Sequence, residues 1–257
     1  MSLIHPTAIV AEGAQLGVDV EIGPYCVIGP HVRLGDRTVV KSHVVVEGRT
    51  SVGAECTLFP FASLGQLTQD LKFKGGTTYV SIGDKTTIRE YVTVNSGTAD
   101  GEWTKVGNGC LIMATCHIAH GCEVSDGVIM ANGATLAGHV KVDRFAIIGG
   151  LSGVHQFCRI GVMSMVGGMT KVTQDVPPFM IADGNPATVH GLNLIGLQRR
   201  QVPVDAQKAL KAAFKILYRS GLITSDAVSK IEVDVPALSH VVQLVEFVKA
   251  SERGVLK

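Results

Sequence analysis

The sequence predicts a mainly β protein, a parallel β-helix of hexapeptide repeats followed by a small C-terminal α-helical domain. Three observations carry this. An aliphatic residue recurs every six positions, a small or β-branched residue follows each one four places later, and past Pro178 the six-residue period gives way to apolar residues spaced by three and four. No α-helix keeps a period of six on one face, and an ordinary strand alternates with a period of two. A triangular solenoid does satisfy it. Three hexads close one coil, each hexad forms one flat side, and residues 18 apart stack at the strand spacing of about 4.8 Å.

Taken in order, the aliphatic positions run without a miss from Ile4 to Leu64, resume at Ile82, Ile88 and Val94, and run again from Val106 to Val172. The coil is therefore expected over residues 1–180, with eight to nine turns. Glycine often follows the aliphatic residue, as at Gly17, Gly35, Gly53 and Gly149, where tight corners are expected to need its backbone freedom. Two segments break the register, 70–81 and 100–105, and are expected to loop out of a corner. Excursions from a rigid scaffold are where binding groups collect, although the second also reads as a tolerated insertion. Pro177 and Pro178 mark a boundary. From Asp205, Ala206, Leu210, Ala213, Phe214 and Leu217 share one helical face, and 236–253 reads as a further amphipathic helix, so a helical domain is expected over 190–257.

Composition narrows the function classes. A net charge of +1 offers no global basic field for nucleic acid. The first residues lack a signal peptide pattern and no run reaches the roughly 20 apolar residues of a membrane span, so a cytoplasmic protein is expected. All six cysteines, Cys26, Cys56, Cys110, Cys116, Cys122 and Cys158, fall at the small inward position and read as core rather than as metal ligands or disulfides.

Of nine histidines, His117, His120, His139 and His155 lie close together in the third block. Stacking by 18 puts His120 beneath Gly138 and Gly138 beneath Gln156, so the period alone gathers His120, Gly138-His139 and His155-Gln156 at one spot. Three readings follow: satisfied surface histidines, a zinc site, or general-base catalysis by a neutral imidazole.

The segments His117-Ile118-Ala119-His120, Ala131 to Val140 and Val154-His155-Gln156-Phe157-Cys158 resemble those of the UDP-N-acetylglucosamine acyltransferases of lipid A biosynthesis. So do Gln69-Asp70-Leu71-Lys72, Gln174-Asp175-Val176-Pro177-Pro178, Gly191-Leu192-Asn193 and Arg199-Arg200, and the likeness spans essentially the whole chain. The resemblance implies a left-handed coil and a homotrimer with the site between two coils. It implies transfer of a 3-hydroxyacyl group from acyl carrier protein to the sugar 3-hydroxyl of UDP-N-acetylglucosamine. No metal and no cofactor are expected beyond the phosphopantetheine that carries the acyl chain. By similarity, His120 is the general base and the Gly138 N–H the oxyanion donor. His117, His139, His155 and Gln156 shape the sugar and diphosphate site, with Asp70 and Lys72 reaching in from a loop. Asn193 and Arg200 hold the nucleotide, and Arg199 serves either the nucleotide or the carrier protein. The stripe Lys208, Lys211, Lys215 and Arg219 suits an acidic carrier.

Three positions carry their own expectations. Gly121 stands where many relatives have an acidic residue, so another group, such as a backbone carbonyl, is expected to orient His120. Ile195 replaces a glutamate of many relatives, which leaves open amide-forming acylation of a 3-amino sugar analogue; a zinc carbonic anhydrase on the same coil is the more distant alternative. Gly168 matches the position that limits acyl length and leaves it open, whereas Lys171, stacked over Gly153, Thr135 and His117, is expected to close the groove sooner.

Overall fold

The computed structural model describes residues 3–257; Met1 and Ser2, the expected start of the coil, lie outside the described residues. Two-residue strands stack coil on coil into three parallel sheets, beginning with Leu3–Ile4, Ile9–Val10 and Gln15–Leu16. The register confirms the 18-residue repeat: Leu3 pairs with Glu21, Ile9 with Val27 and Gln15 with Arg33. The second residue of each strand points into the prism, and with the small residue of each hexad these side chains form one continuous core. Apolar burial along this column is the main stabilising contribution.

The corners differ from expectation in one respect. Gly17, Gly35, Gly53 and Gly149, which follow the aliphatic residue, do not have positive φ; that conformation commonly falls two places later, on residues such as Tyr25, His139, Phe145 and Phe157. Of the glycines in this position Gly65 does adopt it, just before the first loop. The other four answer a close approach instead. A Cβ on Gly35 would come 2.5 Å from the carbonyl carbon of Gly53, and one on Gly149 would come 2.5 Å from that of Gly167. The cysteines are all buried and free. Four of their thiols reach a carbonyl 15 residues on, in the next coil: Cys26 to Lys41, Cys110 to Ser125, Cys116 to Ala131 and Cys122 to Ala137. Burial pushes the Cys116 and Cys158 thiols up to about 11 and Cys122 to about 12, which keeps all three protonated.

Both excursions return to the coil earlier than the hexad register predicts. Tyr79–Ile82 and Trp103–Val106 are four-residue strands, paired Tyr79 to Trp103 and Val80 to Thr104, so Ser81 and Lys105 belong to the sheet. The loops proper are 67–78 and 96–102, because two extra rungs of backbone pairing, with the Tyr79 and Trp103 rings stacked at 4.5 Å, extend the side before each corner is reached.

The sheet also outlasts the prolines. Met180–Asp183 adds a parallel rung on Met165 and Val166, then turns antiparallel into Thr188–Leu192. Helices α1 (Leu194–Arg199), α2 (Val204–Arg219), α3 (Thr224–Asp234) and α4 (Ser239–Lys249) follow and share a second core with Phe179 and Met180. The expected helix over 236–253 is thus the shorter α4. The chain end folds back over the coil, where Leu256 is buried and donates its N–H to the Asp175 carbonyl. No helix among the described residues is long and apolar enough to cross a membrane.

Candidate active site at one corner of the coil

The sheet containing His117–Ile118 is followed in every coil by the same corner before the strand of the next side begins. The loops 67–78 and 96–102, then His120, then Gly138-His139, then His155-Gln156 emerge from that corner in successive coils. The two loops bind each other: Asp100 Oδ1 accepts from the Thr77 N–H at 2.7 Å, Gly101 N–H donates to Thr77 O at 2.8 Å, and the Thr68 and Thr98 hydroxyls lie 3.1 Å apart.

His120 is more enclosed than Asp70, His139 and Glu102, its side chain 14% exposed. Its Nε2 lies against the Gly138 α-carbon, where a Cβ would come within 2.1 Å of it. Glycine at 138 is therefore what lets the imidazole sit over the backbone of the next coil. The Gly138 N–H has no acceptor among the described residues. Asp70 Oδ2 stands 3.4 Å from the same Nε2, while Asp70 Oδ1 accepts the Lys72 N–H at 3.0 Å and fixes the loop turn. Burial holds His120 below the ordinary histidine pKa, with the charges of His139 and Lys72 adding to this and those of Asp70 and Glu102 opposing it. A neutral imidazole near pH 7 follows, the form a general base needs.

The other predicted residues divide by location. His117 bonds Thr93 Oγ1 through Nδ1 at 2.7 Å, and burial, then the His120 charge, lowers its pKa. Its column runs Thr93, His117, Thr135, Gly153, Lys171, as the repeat predicts, with Lys171 exposed at the end. His139 packs its edge contact to His120 at 5.0 Å between ring centroids and stacks on Phe157 at 4.9 Å. His155 and Gln156 are exposed on the coil above, and Gly168 is open to solvent on another corner.

Asn193, Arg199 and Arg200 are not at this corner. They line a separate cavity of about 710 Å³ on the face built by Ile129, Ile147 and Met165. Within one chain the structure does not bring these three residues to His120. Asn193 is also buried and bonded at both ends of its amide: Oδ1 caps α1 by accepting from the Gly196 N–H at 3.0 Å, and Nδ2 donates to Met163 O at 2.9 Å. Its side chain thus braces the cavity wall, which it also helps to line. Arg200 lies over the Phe145 ring, 3.8 Å from its centroid.

Sequence reasoning missed Glu102. It lies in the second loop, read above as a candidate tolerated insertion, and its Oε1 is 3.3 Å from His139 Nδ1. The signal was available, since both insertions follow a hexad that stacks under Ile118. The expected backbone carbonyl is not found on His120 among the described residues; the two loops packed beneath the corner instead bring Asp70, Glu102 and Lys72 to the histidine pair.

A prism of stacked hexads with an imidazole seated over a backbone glycine at one corner belongs to the hexapeptide-repeat class of proteins. The bacterial transferase hexapeptide family model matches residues 13–48 and 104–138, and the model for the second domain of UDP-N-acetylglucosamine O-acyltransferase matches 175–256. Among curated relatives, the acyl-[acyl-carrier-protein]–UDP-N-acetylglucosamine O-acyltransferase of Thermodesulfovibrio yellowstonii is 46% identical over 258 residues, covering 100% of both chains. That of Chlamydia caviae is 48% identical over 256 residues, covering 99% of this chain and 92% of its own. Among solved structures, the UDP-N-acetylglucosamine acyltransferase of Bacteroides fragilis superposes with a TM-score of 0.97 at 39% identity, covering 99% of this chain and 100% of that one. The Moraxella catarrhalis enzyme gives 0.94 at 41% identity, with 99% of each covered. This chain belongs to the UDP-N-acetylglucosamine O-acyltransferase family, and its coil is left-handed.

Proposed function

We propose that this enzyme carries out the first step of lipid A biosynthesis, moving a 3-hydroxyacyl group from acyl carrier protein to the 3-hydroxyl of UDP-N-acetylglucosamine. The activity for which the relatives are named supports the reaction. The observation that carries the mechanism is His120 Nε2 seated over Gly138 beside Asp70. In this reading Nε2 takes the proton of the sugar hydroxyl as its oxygen attacks the thioester carbonyl. The Gly138 N–H donates to the resulting oxyanion. Collapse breaks the C–S bond, and the imidazolium returns its proton to the departing pantetheine sulfur.

His117, Asp70 and Lys72 line the approach to the base, and His155 and Gln156 extend the surface on the next coil. Arg199 and Arg200, on a different face, complete a nucleotide site only if a second chain presents them, which supports a homotrimer with the site between coils. The exposed basic stripe on α2, Lys208, Lys211, Lys215 and Arg219, offers an acidic carrier protein an electrostatic approach. The acyl donor's phosphopantetheine is the only prosthetic group the reading requires.

The test is His120→Ala, assayed with UDP-N-acetylglucosamine and a 3-hydroxyacyl carrier protein. The variant is expected to lose about 10² to 10⁴ in kcat, and a variant of wild-type activity sinks the mechanism. Wild-type activity surviving chelator, with no stoichiometric zinc in the purified protein, is expected; bound zinc and loss on chelation would favour the carbonic anhydrase alternative. Comparing the sugar with its 3-amino analogue decides between ester and amide formation.

A further inference from the structure

We infer that Glu102, delivered by the second loop, is the acidic partner of the His120–His139 pair, a positioning residue that holds His139 by Nδ1 and sets a negative charge beside the base in the space Gly121 leaves open. This rests on the reading of His120 as the base.

Three observations support it. First, Glu102 is committed at every other polar group. Its N–H donates to Ala99 O at 3.0 Å, its carbonyl accepts from the Tyr79 N–H at 2.9 Å, and Oε2 accepts from the N–H groups of Thr98 and Ala99. Only Oε1 remains, and it faces His139 Nδ1 at 3.3 Å. A carboxylate held by two backbone donors needs little reordering to act. Second, the geometry depends on the missing side chain at 121. A Cβ there would come 2.4 Å from His139 Nδ1 and 2.8 Å from Glu102 Oε1. Gly121 has φ +65°, and its N–H is held by Thr104 Oγ1 at 3.0 Å, so the backbone has no freedom to move aside cheaply. Glycine at 121 and glutamate at 102 are thus parts of one arrangement, with the acidic group supplied from the loop instead of from the residue after the base.

Third, Asp70 cannot fill this role. It meets His120 at Nε2, the nitrogen that lies over Gly138 and must face the sugar hydroxyl, so a substrate competes with it. His120 has no hydrogen bond through Nδ1 among the described residues. What remains to fix the ring is its edge contact with His139, itself clamped between Glu102 and the Phe157 face.

The charged groups facing His120 are Asp70 and Lys72 from the first loop, Glu102 from the second, His139 from the next coil and His117 from its own strand. Glu102 favours the imidazolium and so opposes the depression caused by burial. Removing its charge without changing its shape therefore lowers the His120 pKa further. In Glu102→Gln, kcat is expected to fall about tenfold or more, the KM for the sugar nucleotide to stay within about twofold, and the acid limb of the kcat profile to move to lower pH. A companion titration of His120 by NMR, on the free protein with wild type alongside, is expected to show the same downward movement. Unchanged kcat and limb overturn the inference. A lower kcat with an unmoved limb and unmoved NMR titration reduces Glu102 to a loop brace and equally overturns it. Since the NMR titration needs no acyl transfer, a wild type inactive on UDP-N-acetylglucosamine would fail the proposed function and leave this inference to be decided by the titration.

Discussion

His120 and Gly138 act as one unit, because the space for the imidazole is the side chain that Gly138 lacks. Gly138→Ala would put a methyl group 2.1 Å from Nε2, so the ring must leave the backbone it sits over. The expected outcome is a loss of about 10² to 10³ in kcat with an unchanged melting temperature, since the site is on the outside of the coil. Combined with His120→Ala, the further loss should be small, because both changes remove the same geometry; steady-state kinetics of the two single variants and the double variant check this. The pH dependence has a definite sign. Burial depresses the His120 pKa, so activity is expected to rise with pH through a value below the ordinary histidine value of about 6.5 and to level off above it. An acid limb above that value would contradict the assignment of the base.

Among elements, two arrangements lead to measurable consequences. The column ending in Lys171 runs over the face above His117, with Gly153 leaving a gap beneath it. Lys171→Ala is expected to shift the preference among 3-hydroxyacyl carrier proteins toward longer chains, and an assay over graded lengths that finds no shift sinks the idea. At the cavity face, Asn193 caps α1 and ties it to Met163. Asn193→Ala is expected to cost about 1 kcal/mol and to raise KM for the sugar nucleotide more than it lowers kcat, since α1 carries Arg199 and leads into Arg200. Apolar spacing by three and four reveals α2, but α1, six residues long, shows no such period. Likewise the hexads locate both insertions, yet not their true ends, because four-residue pairing at Tyr79 and Trp103 is a tertiary match between coils.

Across the whole molecule, coil and helical domain are joined through Asp175, which is 1% exposed. Its Oδ1 accepts from the Arg159 N–H at 2.8 Å, its Oδ2 from Ser251 Oγ at 2.8 Å, and Arg159 also lies 4.0 Å from the Phe247 ring centroid. Asp175→Ala leaves these half-buried donors without their partner and is expected to destabilise the fold by about 1–3 kcal/mol, read as a lowered denaturation midpoint. Sedimentation of the wild type is expected to give three times the mass of one chain; a monomer with full activity would contradict a site shared between chains.

The sequence by itself determined the coil, the inward place of every cysteine, and the stacking of His120, Gly138 and Gln156, because a six-residue period dictates which residues lie 18 apart on one corner. Tertiary structure alone decided which loop atoms reach that corner, that Asn193 is spent on a helix cap, and that the arginines lie on another face. Loops follow no period. Their side chains are placed by contacts between segments, as Glu102 is by Thr98, Ala99 and the vacancy at Gly121, and such contacts exist only once the coils have closed.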